Sequence, residues 1–192
     1  MAFYTSERRR TVNLSKYNNQ WFNTGGSVIK RTIWFFVNVL FFENPLVPVN
    51  SLKVWLLKTF GAKIGRGVVI KPGVNIKYPW NLNIGNYTWI GEKVWIDNLV
   101  PVFIGENVTV SQGAMLLTGS HNYKAEAFDL IVNKITLEDG VWIGAQATVC
   151  PGVTCYSHSV LAVGSVATRD LDAYFIYQGN PAEKKRERNI TE

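Results

Sequence analysis

The sequence predicts an all-β solenoid, a parallel β-helix of hexapeptide type with about five coils, and three observations carry that prediction. First, from Ile64 onward an aliphatic residue recurs every six positions, as in "IGRGVV", "IGNYTW", "IGEKVW", "IGENVT" and "IGAQAT". Second, the lead positions fall in threes, at 64, 70 and 76, then 84, 90 and 96, then 104, 110 and 116, then 137, 143 and 149, then 155, 161 and 167. Thirteen of these fifteen are Ile, Val or Leu, which chance does not produce. Third, two extra residues separate each of the first three groups, so three hexads make one turn of a triangular prism whose sides are short strands. The 16 glycines suit its many corners.

The elements follow in chain order. Residues 1–61 form an N-terminal extension and helical cap. Ser27 is placed to cap a helix bearing Val28, Ile29, Ile33, Phe36, Val37 and Leu40, "ENPLVP" interrupts it, and a second helix runs from 50 or 51 to Phe60 with Gly61 as its stop. A stack of coils needs its open end covered, and that is the role expected of both helices. The apolar run 33–42 has about half the ~20 residues of a membrane-spanning helix. Weak contact with a membrane surface through residues 28–42, beside Lys30 and Arg31, is the alternative role.

Residues 62–172 hold the hexads. The lead aliphatics should fill the prism, with Val68, Thr88, Val94, Val108, Ala114, Val141, Ala147 and Val153 packing near its corners. Between Leu116 and Leu137 lie 21 positions where six would serve, so an excursion over residues 122–136 leaves the prism. Long insertions in a solenoid build the rims of clefts. His121 stands at the root of this one, off the lead series and therefore facing outward. His158, mid-hexad in "CYSHSV" with no loop beside it, is expected to be structural. Residues 173–192 form a tail that is expected to be helical.

Composition narrows the function. The net charge of +6, with basic clusters at 8–10 and 184–188, suits an anionic ligand such as a phosphate-bearing cofactor, and no nucleic-acid partner is expected. Two cysteines, Cys150 and Cys155, build neither a disulfide framework nor a zinc site, and no metal is expected. "MAFYTSERRR" shows no secretory pattern, so a cytoplasmic location, with at most peripheral membrane contact, is the expectation.

The hexads, the looped-out "LLTGSHNY", the following "VWIGAQATVCPGVT", the ending "VLAVGSVATRDLDAYFIYQGNPAEKKRER" and the lead-in "NLSKYNNQWF" together resemble the hexapeptide-repeat acyltransferases. Within that family the chain looks most like the colanic acid biosynthesis branch of the small maltose, galactoside and nodulation O-acetyltransferases. The resemblance covers nearly the whole chain. It implies a left-handed coil, against the usual right-handed crossover, and a homotrimer with active sites between subunits. It also implies an acetyl-CoA-dependent O-acetyltransferase acting on a sugar hydroxyl of a surface or exopolysaccharide building block.

Direct acyl transfer from a thioester needs a base for the alcohol proton, and a neutral imidazole serves near pH 7, which points to His121. It also needs donors aimed at the oxyanion. The resemblance assigns these to backbone N–H groups at Gly144 and Ala145, the pantetheine channel to Trp142 and the backbone of Ala162 and Val163, and the coenzyme phosphates to Thr168, Arg169, Lys184 and Arg186. For the acceptor, Asp97, one coil below His121, is the first choice and Glu92 the second. Neither cysteine makes a convincing covalent relay. Two other readings stand beside this one: N-acetylation of an amino sugar or small xenobiotic, and a non-catalytic scaffold. A trimeric carbonic anhydrase is excluded, since its zinc needs three histidines per chain and this chain has two.

Overall fold

Every lead position of the hexad series is buried, and so are the eight corner residues named above. In the computed structural model, which describes residues 10–192, these side chains form one continuous apolar interior. Three parallel sheets make the faces of the prism. The first stacks Lys63–Ile64, Leu82–Ile84, Val102–Ile104, Ile135–Leu137 and Thr154–Cys155. The second stacks Val69–Ile70, Trp89–Ile90, Thr109–Val110, Trp142–Ile143 and Val160–Leu161, and the third Asn75–Ile76, Trp95–Asp97, Met115–Leu117, Thr148–Val149 and Val166–Ala167. Register places lead residue over lead residue, Ile84 on Ile104, Ile90 on Val110 and Ile96 on Leu116. Single-sided burial at that period forbids a one-residue slip, which would turn every aliphatic outward.

The prism is longer than the lead series suggests. After five complete coils a sixth begins, with Leu171 bridging to Cys155 and Phe175–Gly179 pairing to Val160–Leu161. Leu171 and Tyr177 are buried six residues apart, so the period continues after a shortened corner.

The tail corrects the expectation of a helix. Phe175–Gly179 and Ala182–Glu187 form an antiparallel hairpin that turns at Gly179-Asn180-Pro181. An extended partner can pair with the last coil's open backbone, whereas a helix could not.

The opposite end is closed by side chains. Helix α1 (Val28–Val37) is capped by Ser27, whose Oγ accepts from Lys30 N at 3.2 Å, and it continues as a π-turn over Asn38–Glu43. Helix α2 spans Asn50–Thr59. Trp34, Phe42 and Leu57 plug the apolar interior. Trp34 Nε1 donates to Ile76 O at 2.8 Å, Asn38 Oδ1 accepts from Ile76 N at 3.2 Å, and Lys53 Nζ donates to Lys71 O at 3.1 Å. Asn50 accepts from Ile70 N at 2.7 Å and donates to Val68 O at 2.8 Å. The edge groups of the first coil, which would otherwise be orphaned or recruit another strand, are thereby satisfied.

The inward face of α1 is not the aliphatic one. Trp34 and Asn38 face the prism, while Ile29, Ile33, Phe36 and Leu40 stay exposed. No helix among the described residues is long and apolar enough to cross a membrane.

Leu116 lies fully buried at the centre of the stack. Leu116→Ala should therefore cost about 2–5 kcal/mol, the range for a cavity that cannot collapse, and denaturant unfolding should show a lower midpoint. A midpoint within error of the wild type would refute a close-packed interior at that coil.

Candidate active site

The excursion leaves the third coil as a β-hairpin. Gly119–His121 pairs antiparallel with Leu130–Val132, placing His121 opposite Leu130. The root is tied to the coil below, where Thr118 Oγ1 donates to Asp97 O at 2.8 Å, and its two ends are tied together, where Asn133 N donates to Thr118 O at 2.9 Å. Gly119 leaves room there for Leu99, whose Cδ1 would stand 2.6 Å from a Cβ.

Phe128 holds the imidazole twice. Its ring stacks on His121 at 4.5 Å and 8°, and its carbonyl oxygen lies 2.9 Å from His121 Nδ1. Both contacts come from one residue because Phe128 adopts φ +53°, a left-handed conformation uncommon for a bulky side chain and typical of functional loops. A carbonyl can only accept, so Nδ1 carries the hydrogen and, in the neutral ring, Nε2 keeps its lone pair.

Tyr17 covers the other side, 5.8 Å away and tilted. It belongs to an N-terminal strap that Asn13 N fastens to Glu126 O at 2.8 Å, Lys16 Nζ to Glu126 at 2.8 Å, and Trp80 Nε1 to Thr24 O at 2.6 Å. Sequence reasoning gave this strap no role at the site. Its polar and aromatic residues follow no period, and its partners are over 50 residues away.

His121 opens on a cavity of about 400 Å³ that Asp97, Lys77, Arg31 and Tyr17 also line. Asp97 thus lines the same cavity as the histidine. Its carboxylate is mostly buried and lies 2.8 Å from Lys77 Nζ, a distance for an ion pair, although Oδ1 lacks hydrogen-bond geometry to any described residue. Lys77 offsets its charge. Glu92 does not line this cavity and sits exposed at another corner.

The residues expected to hold the donor lie elsewhere, around the corner between the second and third faces. Trp142 is exposed and donates from Nε1 to Ser111 Oγ at 2.9 Å. Gly144 N donates to Leu161 O at 2.7 Å and Ala162 N to Tyr177 O at 2.8 Å, so the ladder consumes both. Gly144 N and Ala162 N are therefore not free donors at this corner. The Ala145 and Val163 N–H groups, stacked one coil apart, have no partner among the described residues. Gly144 keeps that corner narrow, since a Cβ would stand 2.6 Å from Val163 N.

Thr168 and Arg169 are exposed at the next corner. Lys184 is partly engaged, 2.9 Å from Asp172 and 3.4 Å over the Phe175 ring, and its hydrogen bond, with that of Tyr177, holds the Asp172 carboxyl below its usual range. Arg186 is exposed on the hairpin, opposite Ile176, and Arg8 and Arg9 of the N-terminal basic cluster fall outside the described residues. None of these donor residues lines the His121 cavity.

The remaining titratable groups follow their environments. His158 stacks on Tyr174 at 4.7 Å and 2° inside a coil corner and lines no part of the His121 cavity. Burial pushes the Cys150 thiol up, and burial followed by the Asp170 charge pushes the Cys155 thiol up much further, so neither is a ready nucleophile.

No family model matches the chain. It is 36% identical over 168 residues to the colanic acid biosynthesis acetyltransferase WcaF of Escherichia coli (strain K12), an alignment covering 88% of this chain and 92% of that one. It is 30% identical over 137 residues to the galactoside O-acetyltransferase of the same strain, covering 70% and 68%. Its fold matches that of a galactoside acetyltransferase in complex with coenzyme A with a TM-score of 0.73 at 25% identity, covering 84% and 82%. A left-handed β-helix with a histidine hairpin and this degree of identity define its class: the chain belongs to the hexapeptide-repeat acetyltransferases. It is an acyltransferase enzyme, with relatives named for sugar and polysaccharide chemistry.

The strap predicts a separable effect. Glu126→Ala removes a surface ion pair worth under about 1 kcal/mol, so the melting temperature should barely change. The KM for acceptor should rise several-fold as Tyr17 loosens, while the KM for acetyl-CoA stays put. An unchanged acceptor KM would show that the strap is no part of the acceptor wall.

Proposed function

We propose that the protein transfers acetyl from acetyl-CoA to a sugar hydroxyl of a surface-polysaccharide precursor, with His121 as general base. The observation that carries this reading is the imidazole itself, with Nδ1–H spent on the Phe128 carbonyl and Nε2 free on a cavity shared with the buried Asp97. Nε2 takes the hydroxyl proton as the oxygen attacks the thioester carbonyl carbon, and a tetrahedral oxyanion forms. The unpaired Ala145 N–H is the donor we assign to that oxyanion. Collapse breaks the C–S bond, the thiolate recovers the proton from the imidazolium, and an O-acetyl sugar and free coenzyme A leave. Asp97 accepts hydrogen bonds from neighbouring sugar hydroxyls. No acyl-enzyme is needed, which agrees with two cysteines whose thiols burial holds protonated.

The acceptor and donor groups of one chain do not share a cavity, and this favours a site completed between copies, as in the homotrimer that the family resemblance implies. A subunit-mixing test follows. His121→Ala and Ala145→Pro, each inactive alone, should regain activity when unfolded together and refolded as mixed oligomers. No recovery, with oligomers formed, would place both groups in one subunit's site.

The base itself is tested by thiol release from acetyl-CoA against a panel of sugars, nucleotide sugars and amino sugars. His121→Ala should lose on the order of 10²-fold or more in kcat. A mutant as active as wild type sinks the mechanism, and turnover confined to amino sugars sinks the O-acetyl assignment.

A further inference from the structure

The cap turns a second apolar face away from the prism. Ile29, Ile33, Phe36 and Leu40 recur at i, i+4, i+7 and i+11 along α1 and the π-turn that continues it, on the side opposite Trp34 and Asn38, and each is at least half exposed. Leu46 of the connecting segment is more exposed still. Trp55, also exposed, falls on the outward side of α2, opposite the buried Lys53 and Leu57. A protein surface seldom gathers so many large apolar side chains at one end, and where it does the patch meets a protein or a membrane.

Charge decides between those partners. Residues 28–72, the cap and the start of the first coil, hold seven Lys or Arg against the single acid Glu43. The rest of the chain holds 13 of each sign, so the whole net charge of +6 lies at this end. Lys53 is buried beneath α2, but Lys58, Lys63, Arg66 and Lys71 are exposed around the rim, and none of them forms an ion pair among the described residues. Two such rims brought face to face repel, which disfavours a second copy of this chain as the occupant. A bilayer containing anionic phospholipid presents negative charge over an apolar interior and so satisfies both features. No helix among the described residues can cross it, so α1 lies along its surface.

We propose that the protein docks by its capped end on an anionic phospholipid surface. The outward stripe of α1, with Leu46 and Trp55, enters the boundary between headgroups and acyl chains, and the rim cations meet the lipid phosphates. One helix thereby serves two apolar partners: its Trp34 face closes the prism, and the opposite face meets lipid. The inference uses no part of the acetyl-transfer site.

The test is co-sedimentation of the full chain with vesicles of phosphatidylcholine mixed with phosphatidylglycerol, beside vesicles of phosphatidylcholine alone. Only the anionic vesicles should carry the protein down, and high salt should release it. Phe36→Ser combined with Leu40→Ser should weaken binding about tenfold or more. Lys63→Gln combined with Arg66→Gln should weaken it about as much. Lys134→Gln with Lys185→Gln, the same loss of charge in the excursion and the tail, should leave it unchanged.

Protein that stays in the supernatant with both kinds of vesicle overturns the proposal. Equal weakening by the two charge-matched pairs also overturns it, since attraction would then come from net charge with no defined face. Wild-type binding by the Phe36→Ser, Leu40→Ser variant removes the apolar stripe from the contact and sinks docking by this face. A second copy on the stripe would show in sedimentation velocity without lipid, as an oligomer that this variant converts to a smaller species, and that result replaces the bilayer with a protein interface. Thermal melts check folding. All four substituted side chains of the cap and rim are exposed, and should one pair unfold the protein, the other decides.

Discussion

Each coil of this prism satisfies its backbone by handing donors and acceptors to the coil above and below, and the rest of the molecule answers to that constraint. Within the stack the exchange is automatic once lead residues are in register. At the two ends it fails, and the chain spends its non-repetitive residues there. Asn38, Asn50, Lys53 and Trp34 meet the exposed groups of the first coil, and the terminal hairpin extends the last. A buried lysine bonded to a single carbonyl is a costly way to cap an edge, and burial lowers the pKa of Lys53 accordingly. It persists because an unmet carbonyl at the same place would cost as much.

The same constraint explains why chemistry collects at the one break. A hairpin can leave the third coil without unpairing it only if its root is held, as Thr118 is by Asp97 of the coil below and Asn133 by Thr118. Once outside, the hairpin is free of the six-residue period, so a left-handed residue of the kind the coils keep at their corners, Phe128, falls beside His121. That freedom aims a carbonyl and an aromatic face at one imidazole. The solenoid supplies rigidity, and the break supplies geometry.

What the sequence makes legible divides along this line. All fifteen lead residues and their corner partners could be read because period and burial have one cause. His121 and Asp97 were legible because an interruption and a register position locate them. Tyr17 and the Phe128 carbonyl were not: each meets the imidazole through a contact between segments that share no period. The inward face of the α1 segment was not legible for a related reason: Ile29, Ile33, Phe36 and Leu40 stay exposed, because the first coil needs side chains that both fill space and hydrogen-bond, which Trp34 and Asn38 do. The tail was expected to be helical, and the demand of an open sheet edge overrode that.

The corners carry the last step. Between the first and second faces, two of the amides two residues beyond the lead are met by a side chain from the next coil: Arg66 N donates to Asn86 Oδ1 at 2.9 Å, and Glu106 N to Asp139 Oδ1 at 2.7 Å. The equivalent amides between the second and third faces, at Ala145 and Val163, have no such partner among the described residues. The chain places alanine and valine there, side chains that cannot reach back to a backbone amide. Two amides of the first corner are thus closed by side chains of the next coil, whereas at the other Ala145 and Val163 stand as donors one coil apart. A donor column beside an exposed indole suits a ligand that is itself a chain of carbonyls, which is the form of a thioester on a pantetheine arm. On the reading proposed above, acceptor specificity is written in the irregular segments around His121, and the donor is recognised by the backbone that the repeat leaves unpaired.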